Sequence, residues 1–220
     1  MKNITLIILG GNMLYLITDG ENKTIRDVLW GENITNEQHD NPNYLFSVYN
    51  DPLVAHMLNP AYEGYKNPNI WEAEGNISQS FGFRHECDKL TSIKKVDIAN
   101  PTDDQRIAFA ILCSLHLVSN SVYKNWAKEY LSGLDRTKEK AASVKKLLEE
   151  FKIGESSNHQ DDYVSCGMAS IMAVLVDPWT FAANAAHRAY YDSPEDSRIE
   201  LDKLANISMK LTLEEMANVL

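Results

Sequence analysis

The stretch DIANPTDDQRIAFAILCSLHLV, residues 97–118, decides how the chain reads. Thr102 and Gln105 have the spacing of a capping box, in which each side chain satisfies a backbone N–H near the other. Asp103 and Asp104 place negative charge in a first helical turn, where the helix dipole favours it. From Ile107 to Val118 the residues are apolar nearly all round, which predicts a helix buried on every side at the centre of a bundle. N-terminal to this stretch lie short β-type runs broken by turns. C-terminal to it, one amphipathic helix follows another.

Working back towards the N-terminus, residues 4–9 and 13–18 are apolar and β-branched around Gly10-Gly11-Asn12, which predicts a short hairpin. Residues 20–43 are polar and turn-rich, with one short helical turn expected where Thr35 and Gln38 repeat the capping-box spacing. Residues 44–49 read as a strand. Asp51-Pro52 then opens a short helix that Asn59-Pro60 is expected to close. Strands are expected over 70–77 and 90–98, joined through 80–88.

Towards the C-terminus, Tyr123, Trp126, Ala127, Tyr130 and Leu131 form one stripe at i, i+3, i+4, i+7 and i+8. Gly133 supplies the left-handed residue that ends that helix, and Asp135 starts the next. There Ala141, Val144, Leu147, Leu148 and Phe151 are expected to face inward. Residues 154–160 form a polar linker. Asp161 or Asp162 caps a small-residue helix over 164–176, Asp177-Pro178 begins another, and Ser193-Pro194 a third. Thr212 with Glu215 is a further capping box. The reading is an α+β protein: a small antiparallel sheet from residues 1–98 packed on a helical bundle from 101–220, folding as one cooperative unit.

The 220 residues carry 44% hydrophobic and 24% charged side chains, ordinary for a globular chain long enough to bury its own core. A net charge of −10, spread over both halves, repels phosphate backbones and argues against direct nucleic-acid binding. No run approaches the ~20 apolar residues needed to cross a bilayer. The apolar N-terminus stops at a Gly-Gly-Asn turn instead of a small-residue cleavage site, so a cytoplasmic protein is expected, in the host cytoplasm if phage-encoded. Three scattered cysteines, Cys87, Cys113 and Cys166, point to reduced, buried thiols instead of a disulfide frame.

Two stretches carry a resemblance. The first runs Tyr49-Asn-Asp-Pro-Leu-Val-Ala55, Leu58-Asn-Pro60, Asn67-Pro68, Trp71-Glu-Ala-Glu-Gly75 and Cys87-Asp-Lys-Leu-Thr-Ser-Ile-Lys94. The second is Gln105 through Leu115, then Trp126-Ala127, then Tyr130-Leu-Ser-Gly-Leu-Asp-Arg136. Together, over residues 44–136, they resemble a group of small bacterial and bacteriophage proteins with no assigned catalytic residues. The resemblance implies a phage or mobile-element setting, in which small proteins act by binding a host component. The chain departs from the group's pattern at residues 83–86, so the resemblance implies no role for Cys87.

Several constellations invite chemistry. His85 and Cys87 have the spacing of half a metal site, but a zinc site needs further ligands of that quality, so no metal is expected. His159, Asp161 and Asp162 would suit a cation or a general base, but a helix N-cap with acidic company in its first turn is the reading preferred. His187, Arg188, Tyr190, Tyr191 and Asp192 would make a polar pocket near a helix end, or the outer face of an amphipathic helix, which is the reading preferred. His56 and His116 sit in apolar surroundings and read as core or boundary residues. Gly10-Gly11 leads into a strand, so it lacks the amide array of a phosphate loop.

The aromatics of the first half are the most suggestive. Trp30, Tyr44, Tyr49, Tyr62, Tyr65 and Trp71 accompany Asn43, Asn50, Asn59, Asn67 and Asn69. Aromatic faces with amides would suit a nucleotide base, and large side chains also fill a small β-domain, the reading favoured here. The candidate ligand-binding residues are therefore Trp30, Tyr44, Tyr49, Tyr62, Trp71 and His56. No catalytic set and no cofactor are expected. The function expected is a non-enzymatic binding protein that sequesters or blocks a host defence component, either a host protein or a signalling nucleotide. The alternatives are an enzyme acting on a nucleotide or ADP-ribose with His56, and a structural protein that forms homo-oligomers through the small-residue helix 164–176.

Overall fold

The computed structural model describes residues 13–24, 26–37, 45–154, 158–193 and 199–210, with the side chains of 151–164 and 210 left aside. It is an α+β protein, with a five-stranded antiparallel sheet and seven helices among those residues. The chain divides into two compact units. One holds the described residues up to Ala55 together with Asn67–Asp97, and the other holds His56–Lys66 with the described residues from Ile98 onward.

The strands of the first unit are β1 (Leu14–Thr18), β2 (Ile34–Glu37), β3 (Phe46–Tyr49), β4 (Asn69–Ser80) and β5 (Arg84–Val96). β1 pairs with both β3 and β4, β3 pairs with β5, and β5 pairs with β4, so four strands close into a ring. β2 continues the edge of β5 beyond β3, with Ile34 opposite Ser92 and Glu37 opposite Lys89. β5 serves both partners by changing face. His85 and Cys87 are buried, Asp88 and Lys89 are both exposed, and Leu90 and Ser92 are buried again. One skipped position inverts the alternation where the partner changes.

Register shifts in the β4–β5 ladder supply the coiling that closure needs, between Glu72 and Ala73, Gly75 and Ile77, and Ile77 and Gln79. Gly75 is required there, because a Cβ on it would lie 2.5 Å from the Lys89 carbonyl oxygen. Leu14, Leu16, Phe46, Val48, Trp71, Cys87 and Leu90 fill the interior, and Trp30 enters from the segment between β1 and β2. Its ring meets Phe46 edge-on at 5.1 Å.

Several expectations are corrected here. Thr35 lies in β2 and not in a helical turn; its hydroxyl meets that of Thr91 at 2.8 Å across the ladder, a use that suits a β-branched residue beside an open strand edge. The β4–β5 hairpin runs much further than the apolar segments suggested, because residues 74–80 are exposed polar strand held by main-chain pairing. Residues 4–9 and Tyr44 lie outside the described residues.

Helix α1 (Pro52–Tyr62) opens as expected, with Asp51 Oδ1 accepting from the backbone N–H of Leu53 and Val54. It does not close at Asn59-Pro60. Pro60 lies within its last turn, and the buried Asn59 accepts from the Tyr65 N–H and donates to the Tyr65 carbonyl, tying the following chain to the helix end.

The second unit continues with α2 (Asp103–Leu117), α3 (Ser121–Leu131), α4 (Lys138–Gly154), α5 (Asn158–Leu175), α6 (Pro178–Tyr191) and α7 (Leu201–Lys210). The Thr102–Gln105 capping box is present in both directions, and every residue from Arg106 to Ser114 is buried, as expected of a central helix. The α3 stripe is buried throughout, and Gly133 takes the left-handed conformation (φ 77°) after it. α5 begins at Asn158, ahead of the expected cap, so Asp161 and Asp162 fall within its first turns. In α4 the buried stripe is narrower than expected, and Leu147 is 48% exposed. The Ser193-Pro194 helix start and the Thr212–Glu215 box lie largely or wholly outside the described residues. Ser193 itself donates back to the Ala189 carbonyl and serves the helix before it.

Small residues seat the helices. Ala182, Ala183, Ala185, Ala186 and Ala189 of α6 are all buried. On α5, a Cβ at Gly167 would lie 3.1 Å from Val118 Cγ2 and 3.4 Å from the Tyr123 ring. Gly167→Val should therefore lower stability in urea unfolding by about 1–3 kcal/mol, the range for overpacking a filled core. An unchanged midpoint would show that the α5 face has slack.

Candidate functional site

The sequence candidates divide between the two units. Trp30, Tyr49 and Trp71 are at most 5% exposed, and Trp30 and Trp71 belong to the interior cluster of the strands. The Trp71 indole donates to Thr18 Oγ1 at 3.3 Å. The amides near them are also spent on structure: Asn50 donates to the Gly82 carbonyl and Asn69 donates to Asn22 Oδ1. His56 and Tyr62 belong to the helical unit.

His85 and Cys87 do lie on one inward face of β5, but His85 Nε2 is 2.6 Å from Asn50 Oδ1, and Cys87 is fully buried. Among the described residues, no group of three or more His, Cys, Asp or Glu has metal-site geometry. All three cysteines are buried and unpaired, in agreement with the expected reduced thiols. Burial pushes Cys87 and Cys166 up to about 12, and raises Cys113 well above its ordinary value. His116 is not a core residue; it is exposed on the last turn of α2, where a basic side chain suits the helix dipole.

The helical unit contains a cavity of about 710 Å³ between α5 and α6, with Glu149 of α4 at its margin. Two helix faces build it. From α5 come Ser165, Met168, Ala169 and Met172, spaced i, i+3, i+4 and i+7. From α6 come Phe181, Asn184, His187, Arg188 and Tyr191, followed by Asp192 at the C-cap. The buried alanines of α6 hold its opposite flank inside the unit, so these longer side chains have one direction left. The polar set His187, Arg188, Tyr191 and Asp192 was expected on an outer face; the structure places it along this cavity. Tyr190, its fifth member, is buried and meets Tyr191 edge-on.

His187 is held from two sides. Its Nδ1 is 2.6 Å from the Tyr62 hydroxyl, and its ring lies 4.8 Å from that of Tyr191. Tyr62, selected from the sequence as part of an aromatic group in the first half, is thus positioned against α6. Glu149 accepts from Lys145 at 2.6 Å, which offsets its charge. Asn184 and Arg188 differ from these: among the described residues their side chains make no hydrogen bond and no ion pair. The lining is therefore mainly apolar on the α5 side, with Ser165 beside Met168, Ala169 and Met172, and carries an unspent amide and an unspent guanidinium on the α6 side, the composition expected of a small-molecule site.

A second polar cluster lies deeper. His56 is 2% and Arg106 5% exposed, and neither His56 Nδ1 nor Arg106 Nη1 has a hydrogen-bond partner among the described residues. Burial lowers Arg106 to about 10, opposed by the charges of Asp103 and Asp177. Burial, reinforced by the Arg106 charge, lowers His56 to about 4. His56 is thus neutral in the folded protein at neutral pH, in keeping with a core histidine.

Compared with known proteins, the chain matches no family model, no curated protein and no solved structure. No helix among the described residues is long and apolar enough to cross a membrane.

Two measurements follow from these environments. With thiols raised by burial, Ellman's reagent at pH 8 should label none of the three cysteines in the native protein and all three in denaturant. Fast labelling of one native thiol would contradict the packing. For His56, the unfolded chain takes up a proton at its ordinary 6.5, whereas the folded chain does so only near 4. Stability is therefore full above the unfolded value and falls with pH between the two, by about 3 kcal/mol in total. Urea titrations from pH 7 to 4.5 should show this loss in the wild type and a flatter profile in His56→Gln. Parallel profiles would remove His56 as the cause.

Proposed function

We propose that the protein works by binding, not by turnover, and that the α5–α6 cavity of its helical unit holds a small molecule. The observation that carries this reading is the cavity itself: about 710 Å³, a mainly apolar wall from one helix, and the polar Asn184, His187 and Arg188 of the other helix lining it. That volume falls within the ~300–1,000 Å³ typical of small-molecule sites. The setting, a phage or mobile-element protein that sequesters or blocks a host defence component, rests on the resemblance over residues 44–136 alone. The acidic charge of −10 is compatible with it.

An enzyme working on a nucleotide or ADP-ribose through His56 has less support, since His56 is almost completely buried. Self-association through the small residues of α5 is also less favoured, because Gly167 is already taken up by Val118 and Tyr123.

The test is to fill the cavity. Ala169 lines it on the α5 side, and Ala169→Phe adds a ring without removing any polar group. Native mass spectrometry of the wild type, after incubation with a bacterial metabolite extract, should show a retained small molecule that Ala169→Phe loses. Circular dichroism would confirm that the variant keeps its fold. A wild type that retains nothing, or a variant that retains the same ligand equally well, would defeat the proposal.

A further inference from the structure

The polar groups of the cavity sort into those already engaged and those left over. His187 is held by Tyr62, and Glu149 by Lys145. Asn184 and Arg188 have no side-chain partner among the described residues, and both line the cavity on successive turns of α6. Four residues of helix separate their backbones by about 6 Å, and the longer arginine side chain extends that span.

An amide offers a donor and an acceptor side by side, and the edge of adenine presents the complementary pair at N6 and N7. A guanidinium offers a planar fork suited to phosphate oxygens. Tyr191, packed beside His187 and Tyr190, is 38% exposed and lines the cavity, while Met168, Met172 and Phe181 supply apolar contact for a ring or sugar. The charge balance sets the number of phosphates. Arg188 is the single cationic side chain in the described lining, where Asp192 brings a carboxylate and Glu149 is paired with Lys145. One guanidinium forks onto one phosphate group, and each further phosphate would add negative charge with no second cation in the described lining to offset it.

Resting on the cavity reading above, we propose that the ligand class is an adenine nucleoside monophosphate, with Asn184 reading the base edge and Arg188 holding the phosphate. The probe is AMP, with adenosine and inorganic phosphate as partial ligands, measured by isothermal titration calorimetry on the full chain. AMP should bind the wild type more tightly than adenosine and much more tightly than phosphate alone. Arg188→Gln should weaken AMP at least tenfold and leave adenosine unchanged, whereas Asn184→Leu should weaken both. Arg188 is exposed, so its variant tests the idea without a folding penalty.

Failure of the wild type to bind AMP, or binding that neither variant changes, overturns the nucleotide assignment. If AMP fails while another small molecule is retained by the wild type and lost in Ala169→Phe, the cavity reading stands and this inference falls. If nothing occupies the cavity, both fall.

Discussion

The helical unit depends on one constraint: the middle of α2 has no face to leave in water. From Arg106 to Ser114 every residue is buried, so neighbouring helices must cover it on all sides. Covering a cylinder closely requires small side chains on the covering helices, and α6 supplies five buried alanines while α5 supplies Ala173 and Cys166, which meets Ser114 of α2. Backbones brought this near also carry their polar groups into the core. The Ser114 hydroxyl donates to the Cys166 carbonyl, the Cys166 thiol to the Ala185 carbonyl, and the Tyr123 and Ser170 hydroxyls share a 2.6 Å hydrogen bond. Each of these groups would cost free energy if buried alone, and each has a partner. The cavity is the other side of this arrangement. A helix whose small residues all point one way carries its large ones on the remaining flank, where Phe181, Asn184 and Arg188 face α5 across an incompletely filled space.

The strand unit answers a different constraint, the open edge. A sheet of short strands exposes unpaired main-chain groups at both margins, and closure of β1, β4, β5 and β3 into a ring removes most of them. Closure needs a long strand able to serve several partners, and the paired exposure of Asp88 and Lys89 lets β5 do so. Trp30 completes the interior from outside the strands, which makes the polar segment before it structural despite its turn-rich composition. The hydrogen bonds of that segment reinforce this, with the Trp30 N–H donating to the Asn22 carbonyl and the Asp19 carboxylate accepting from the backbone N–H of Glu21 and Lys23.

The helices were legible because their ends are written locally. Thr102 with Gln105, Asp177 before Pro178, and Gly133 after Leu131 each act within one turn of themselves, and each sits where the spacing placed it. Strand lengths were less legible. Residues 74–80 have little apolar alternation, and only their pairing with β5, established across a turn, makes them a strand. Pro60 misled because the loss of one main-chain hydrogen bond near a helix end is small beside the bonds Asn59 makes to Tyr65. The cavity was half visible. Periodicity places Phe181, Asn184, Arg188 and Tyr191 on one side of α6, yet it says nothing of what lies opposite. A signal was present in the matching spacing of Ser165, Met168 and Met172, but nothing local joins the two faces. Tyr62 to His187 is harder still, a contact between residues 125 positions apart.

That long reach bears on how the chain is made. His56–Lys66 belongs with the helical segment from Ile98 onward, whereas Asn67–Asp97, which emerges between them, belongs with the strands. On the ribosome the first piece of the helical unit is therefore synthesised before the second half of the strand unit and must wait for its partners. Each unit is interrupted in sequence by a segment of the other, so neither assembles from one continuous length of chain. Synthesis order alone thus gives the C-terminal helices a part in completing a structure begun before residue 66, and a ribosome stalled shortly after β5 would carry a chain whose Tyr62 still lacks its histidine.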